Sequence, residues 1–102
     1  MSALLITVGR LRPGGSPALD RYAAGVLPLI AAAGGTVIVR GQPRETVVGD
    51  QARQPDLVAV IRFRNTTAVR EFLESEAYQA HVPDSREAFE DVQSYIATDL
   101  MG

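Results

Sequence analysis

Four stretches patterned as strands, punctuated by two patterned as helices, predict an α+β chain of the ferredoxin-like βαββαβ class. Three observations carry that reading. Aliphatic and β-branched runs recur at residues 3–11, 36–41, 56–63 and 94–100. A long helical periodicity separates the first two, and a second helical region follows Phe63. Finally, 102 residues make one domain (1–102) with a single modest core. The economical packing for these elements is a four-stranded antiparallel sheet with helices on one face.

The first strand, "ALLITVGRL" (3–11), stops at "RPGGSP", a dense cluster of chain breakers. Ser16 stands where an N-cap belongs and Pro17 where the first helical residue belongs. From there Leu19, Tyr22, Ala23, Val26, Ile30 and Ala33 recur at helical spacing, and Gly34-Gly35 ends the pattern. Pro28 removes a backbone donor inside this helix, so a kink, or a split after Gly25, is expected. "TVIVRG" (36–41) is the second strand. Within the polar segment 42–56, "ETVV" (45–48) offers a short edge strand. "DLVAVIRF" (56–63) is the strongest strand of the chain.

Asn65, Thr66 or Thr67 can cap the next helix, whose buried side is Val69, Phe72 and Leu73. Breaks near Ser75 and at Val82-Pro83 divide the region into "EAYQAH" and "DSREAFEDV". "SYIATDL" (94–100) completes the sheet. Alternation in the third strand puts Leu57, Ala59, Ile61 and Phe63 on one face and Val58, Val60, Arg62 and Arg64 on the other. Val58 and Val60 are too apolar for bare solvent and Arg62 too polar for a dry core. A partly polar, face-to-face sheet interface in a homodimer satisfies both.

Composition narrows the function classes. All ten basic residues are arginine and the net charge is −2, which argues against a phosphate-neutralising nucleic-acid surface. With no cysteine and one histidine, disulfides and thiolate metal sites are excluded, and no metal centre is expected. No segment approaches the roughly 20 apolar residues of a membrane span, and "ALLITV" is too short for a signal peptide. The default location is the cytoplasm. Phosphate-loop, dinucleotide and nucleophile-elbow motifs are also lacking, so any chemistry is expected to need no cofactor.

Several stretches resemble the family labelled domain of unknown function 1330. They are "RYAAGVLPLIAAAGGTVIVRG" (21–41), "LVAVIRF" (57–63) and "EFLESEAYQAHVPDSREA" (71–88), which together span most of the chain. The matching positions are Tyr22, Gly34, Gly35, Arg40, Gly41, Phe63, Ser75, Tyr78 and Gln79, with Arg86 at a common arginine position. Where relatives usually carry glutamate before the strand-end phenylalanine, this chain has Arg62, which reverses the local charge. The resemblance implies a dimeric α/β barrel. That superfamily includes cofactor-free monooxygenases, lactone isomerases, cyclases and haem-handling proteins, among which fold alone does not choose.

Candidate chemistry centres on a few side chains. His81 can exchange protons near neutral pH as a general acid–base, or can serve as a cation at the end of "EAYQAH". Tyr78 is the second candidate for proton transfer, and with Tyr22 it can line a pocket or fill the core. Asp84 and Glu87 have the spacing of a capping box. Arg40 and Arg62 can each receive a ligand oxyanion or pair internally, for example with Asp99. Arg86 would stand at the pocket rim with His81 and Tyr78. With these residues, the superfamily resemblance implies a cofactor-independent cyclase or isomerase of specialised metabolism acting on an apolar, oxygenated small molecule. A cofactor-free monooxygenase and a non-catalytic small-molecule-binding protein are the alternatives.

Overall fold

The computed structural model describes residues 1–102. Its strands are β1 (Ala3–Leu11), β2 (Thr36–Gly41), β3 (Leu57–Phe63) and β4 (Phe89–Thr98). Its helices are α1 (Ser16–Ala32), α2 (Thr66–Glu74), α3 (Glu76–Gln79) and α4 (Val82–Ala88). The sheet order is β2-β3-β1-β4 and every pairing is antiparallel, the ferredoxin-like arrangement. No helix is long and apolar enough to cross a membrane.

Several boundaries differ from the sequence expectations, each for a physical reason. α1 runs unbroken through Pro28 rather than splitting after Gly25. Pro28 and Ala24 are both exposed, so the Ala24 carbonyl that loses its helical donor faces water. Gly15, not Ser16, is the N-cap of α1, and it makes no side-chain cap. Residues 45–48 form no strand, and Val47 and Val48 are exposed. β4 starts at Phe89, inside the segment whose composition reads as helix, and ends at Thr98. Its polar residues Glu90, Asp91 and Gln93 are tolerated because β4 is an edge strand with exposed side chains there. Phe89 fixes the start: its ring lies over Gly9, where an added Cβ would come within 2.8 Å of two ring carbons.

The expected capping box at Asp84 and Glu87 is also replaced. α4 already begins at Val82 with His81 as its N-cap. Asp84 and Glu87 instead receive the guanidinium of Arg21, with Arg21 Nε 3.3 Å from Asp84 Oδ1 and Nη2 on Glu87 Oε2. This clamp ties α4 to α1 across the outside of the helical layer. The loop after β1 holds the far end of α4: Arg12 donates its backbone N–H to Ala88 O at 2.9 Å and its Nε to Arg86 O at 3.2 Å.

The helices cover one face of the sheet. Ala3, Leu5, Leu57, Ile61 and Phe63 point into that layer and are buried. The opposite face carries Leu4, Ile6, Val8, Val39, Val58, Val60 and Tyr95, which the register places side by side. No helix of this chain covers it, and Val39 and Tyr95 are 44% and 51% exposed. Arg62 lies on this outer face beside Leu4 and Thr36, with Nε 3.0 Å from Asp99 Oδ2. Asp99 is buried, and its other oxygen accepts the Met101 N–H at 2.9 Å.

The Met101 N–H, then the Arg62 hydrogen bond, hold the Asp99 carboxyl below the ordinary aspartate value. A depressed folded-state pKa means that the unfolded chain binds the extra proton first, so the contribution to stability is complete above about pH 3.9 and lost as pH falls through the lowered value. Urea denaturation from pH 6 to pH 2 should therefore show the parent losing stability below about pH 4 more steeply than Asp99→Asn. Parallel curves would remove this carboxylate from the acid response.

Candidate functional site

The buried apolar side chains form two clusters. One gathers Leu5, Ile61, Phe63, Val26, Ile30 and Phe72 with their neighbours; the other is Ala18, Leu19, Leu57, Ala88 and Phe89. Sheet register explains the division. Directly opposed residues share a face, so Val37, Ile61, Leu5 and Ile96 form one inward row of bulky side chains. Leu57, Gly9 and Val92 form another, with Phe89 over Gly9. The row between them is Arg40, Ala59, Thr7 and Ser94, with short side chains on the two central strands. Ala59 and Thr7 do not fill the layer beneath α1, and a cavity of about 210 Å3 remains.

Its walls are largely aliphatic and aromatic, and Arg40 is the one charged residue among them. Two hydroxyl pairs break the apolar surface. On the floor, Thr7 Oγ1 and Ser94 Oγ are 2.9 Å apart. On the helical side, the Tyr22 and Tyr78 hydroxyls are also 2.9 Å apart, with the rings edge to face at 6.3 Å. Tyr78 packs in turn on Phe72, and Phe72 on Phe63. Burial, then the hydrogen bond and charge of Tyr78, push the Tyr22 hydroxyl well above the ordinary phenol value. Tyr22 therefore stays protonated at neutral pH and does not serve as a base; either hydroxyl of the pair can donate to the other.

The structure brings Tyr22, Tyr78 and Arg40 to this cavity. It places the other three expected site residues elsewhere. Arg62 is on the outer sheet face with Asp99, the internal pairing weighed against a ligand role. Arg86 is exposed in the last turn of α4. His81 is half-buried between α3 and α4 and is not part of the cavity wall. Its ring lies against α1 at Gly25, where an added Cβ would stand 2.2 Å from His81 Cε1. No group of three His, Cys, Asp or Glu side chains is placed to hold a metal ion.

The model of the family described as "Domain of unknown function (DUF1330)" matches residues 7–99. The chain belongs to that family. A protein of unknown function from Rhodopseudomonas palustris superposes with a TM-score of 0.85 at 22% identity, over 97% of this chain and 82% of that one. A dimeric ferredoxin-like protein of unknown function from Jannaschia sp. CCS1 gives 0.79 at 8% identity, over 97% and 100%. A dimeric protein with a ferredoxin-like fold from Bacteroides fragilis gives 0.69 at 12% identity, over 96% of each chain. Likeness at these identities establishes the fold. No curated protein matches.

In this DUF1330 chain the Ser75-x-x-Tyr78-Gln79 segment has a defined mechanical role. Ser75 Oγ accepts the Tyr78 N–H at 3.2 Å, capping α3, and donates to Phe72 O at 2.7 Å. Gln79 Nε2 donates to Leu73 O at 2.7 Å, satisfying a carbonyl at the end of α2. These three bonds fold α3 back on α2 and aim Tyr78 at Tyr22. Asn65 does the same work at the start of α2, accepting the Ala68 N–H at 2.8 Å. Sequence reasoning missed Thr7, Ala59 and Ser94. Their only local signal was one small residue in the inward set of β3 and one hydroxyl in that of β1.

The stacking of His81 on Gly25 predicts a double-mutant coupling. In a His81→Ala background, Gly25→Ala should stabilise the chain by up to about 1 kcal/mol through helix propensity. In the parent the same change should gain less or destabilise, because the imidazole must leave the helix surface. Urea melts of the four proteins should show a coupling of about 0.5–3 kcal/mol. Additive effects would mean that His81 and Gly25 are not in contact.

Proposed function

We propose that this protein is a cofactor-independent isomerase or cyclase acting on a small, apolar, oxygenated molecule, and that it works as a homodimer. The observation that carries the proposal is the Tyr22–Tyr78 hydroxyl pair on the helical side of a largely apolar cavity. Donors fixed before the reaction stabilise charge as it develops without reorganising at that moment, and they act most strongly where water is excluded. Tyr22, held neutral by burial, suits a developing enolate or alkoxide oxygen. Tyr78, next in the pair, is the candidate for moving a proton. The close walls contribute by holding a flexible substrate near its reactive shape.

The position of His81 favours a second reading. With the one imidazole packed on α1 and outside the cavity wall, the same pocket also suits a non-catalytic small-molecule binder. The two readings separate by product analysis. Small lactones and unsaturated ketones would be incubated with the protein and followed by NMR and mass spectrometry. The enzyme reading expects a rearranged product of unchanged mass, or of lower mass where cyclisation expels water; an oxygenated product would turn the proposal toward the monooxygenase variant.

Tyr22→Phe and Tyr78→Phe should each lower turnover by about 100-fold or more, the usual loss for one oxyanion donor. Ala59→Leu should fill the cavity floor and abolish both binding and turnover with the fold retained. Binding without conversion across the panel leaves the binder reading.

For assembly, the support is the uncovered apolar sheet face together with neighbours described as dimeric. Sedimentation at micromolar concentration should give about twice the 10.9 kDa chain mass. Val60→Asp, at the centre of that face, should yield a monomer. A folded parent monomer would end the dimer proposal.

A further inference from the structure

Outside the cavity lies a second, open chamber of about 520 Å3, formed by Asp20, Gly41, Gln42, Arg44 and the three residues that it shares with the cavity. Those three are Leu19, Arg40 and Leu57, which line both spaces. We propose that together they form one site for an amphipathic carboxylate: its short apolar body lies on the Ala59–Thr7 floor, and its carboxylate is held outside by Arg40 and Arg44. This deepens the reading of the cavity as a ligand site and rests on it.

Three observations orient the ligand. The inner space, at about 210 Å3, lies below the usual size of a small-molecule pocket and suits a short apolar chain rather than a bulky body. An ionised carboxylate carried to the aliphatic and aromatic part of these walls, away from Arg40, would exchange its hydration for few donors, which is costly. The head must therefore stay where the polar groups are. Those groups carry the right charge, since Arg40 and Arg44 outnumber Asp20 by one positive charge. Neither arginine is already neutralised: the ion pairs of the chain join Arg10 to Asp91, Arg21 to Asp84 and Glu87, and Arg62 to Asp99. A net charge of plus one matches a monoanion, and a guanidinium presents the planar donor fork that a carboxylate accepts.

Calorimetry with octanoate and its uncharged counterpart 1-octanol tests this on the intact protein, with circular dichroism confirming that each variant is folded. Octanoate should bind the parent at least tenfold more tightly than octanol. Arg40→Met and Arg44→Met should each weaken octanoate by fivefold or more and leave octanol unchanged. Ala59→Leu should block both. Octyl phosphate, a dianion near neutral pH, should bind no more tightly than octanoate; tighter binding would overturn the carboxylate assignment. If octanol and octanoate bind equally and Ala59→Leu blocks both, the cavity reading stands and the two-chamber proposal falls. The proposal also falls if octanoate binding ignores both arginine substitutions. If neither probe binds, both readings are overturned.

Discussion

Antiparallel pairing sets residues directly opposite one another on the same face of the sheet, and that constraint aligns Arg40, Ala59, Thr7 and Ser94 in one row. The other features of the site depend on this alignment. A row of bulky residues there would have joined the two apolar clusters into a single core. The cavity is thus a property of register. Shifting one strand by a single residue would turn its inward set to the opposite face and close or expose the space. The bulge between Val37 and Val39 belongs to the same device, because it returns Arg40 to the inward face after Ile38 is looped out of the pairing.

The helical layer is held over this gap by polar contacts as much as by apolar ones. Arg21 joins α1 to α4 through Asp84 and Glu87, and Arg12 binds the end of α4. Ser75 and Gln79 fold α3 against α2. Most of these bonds involve exposed groups, so each contributes modestly to stability, on the order of 1 kcal/mol or less. Their larger effect is geometric. They fix the angle at which Tyr78 meets Tyr22, and hydroxyls 2.9 Å apart tolerate little rotation of either helix.

The two faces of the sheet divide the roles of the arginines. Arg62, on the outer face, is paired with the buried carboxylate of Asp99. Arg40, one strand away and facing the helices, has no such partner and lines both cavity and chamber. Both occur in strands of similar composition, "TVIVRG" and "LVAVIRF". Local alternation puts Arg62 on the outer face, whereas the facing of Arg40 depends on the register shift between Val37 and Val39.

Much of the fold was written in the sequence by itself. Periodicity placed the strands and α1, the alternation of β3 separated Ile61 and Phe63 from Val58 and Val60, and the Asn65-Thr66-Thr67 run marked the start of α2 without deciding which residue caps it. These features are legible because they depend on neighbours within a few residues. The early start of β4 was not, since polar residues read as helix until the edge position and the seat of Phe89 over Gly9 are known. The site was legible only in part. Tyr22, Tyr78 and Arg40 carry chemistry that stands out in any sequence. His81 stood out equally, yet tertiary packing put it against Gly25, away from the cavity. Ala59, Thr7 and Ser94 lie 35 or more positions apart from one another, and their meaning comes from strand pairing, a long-range arrangement that no local pattern encodes.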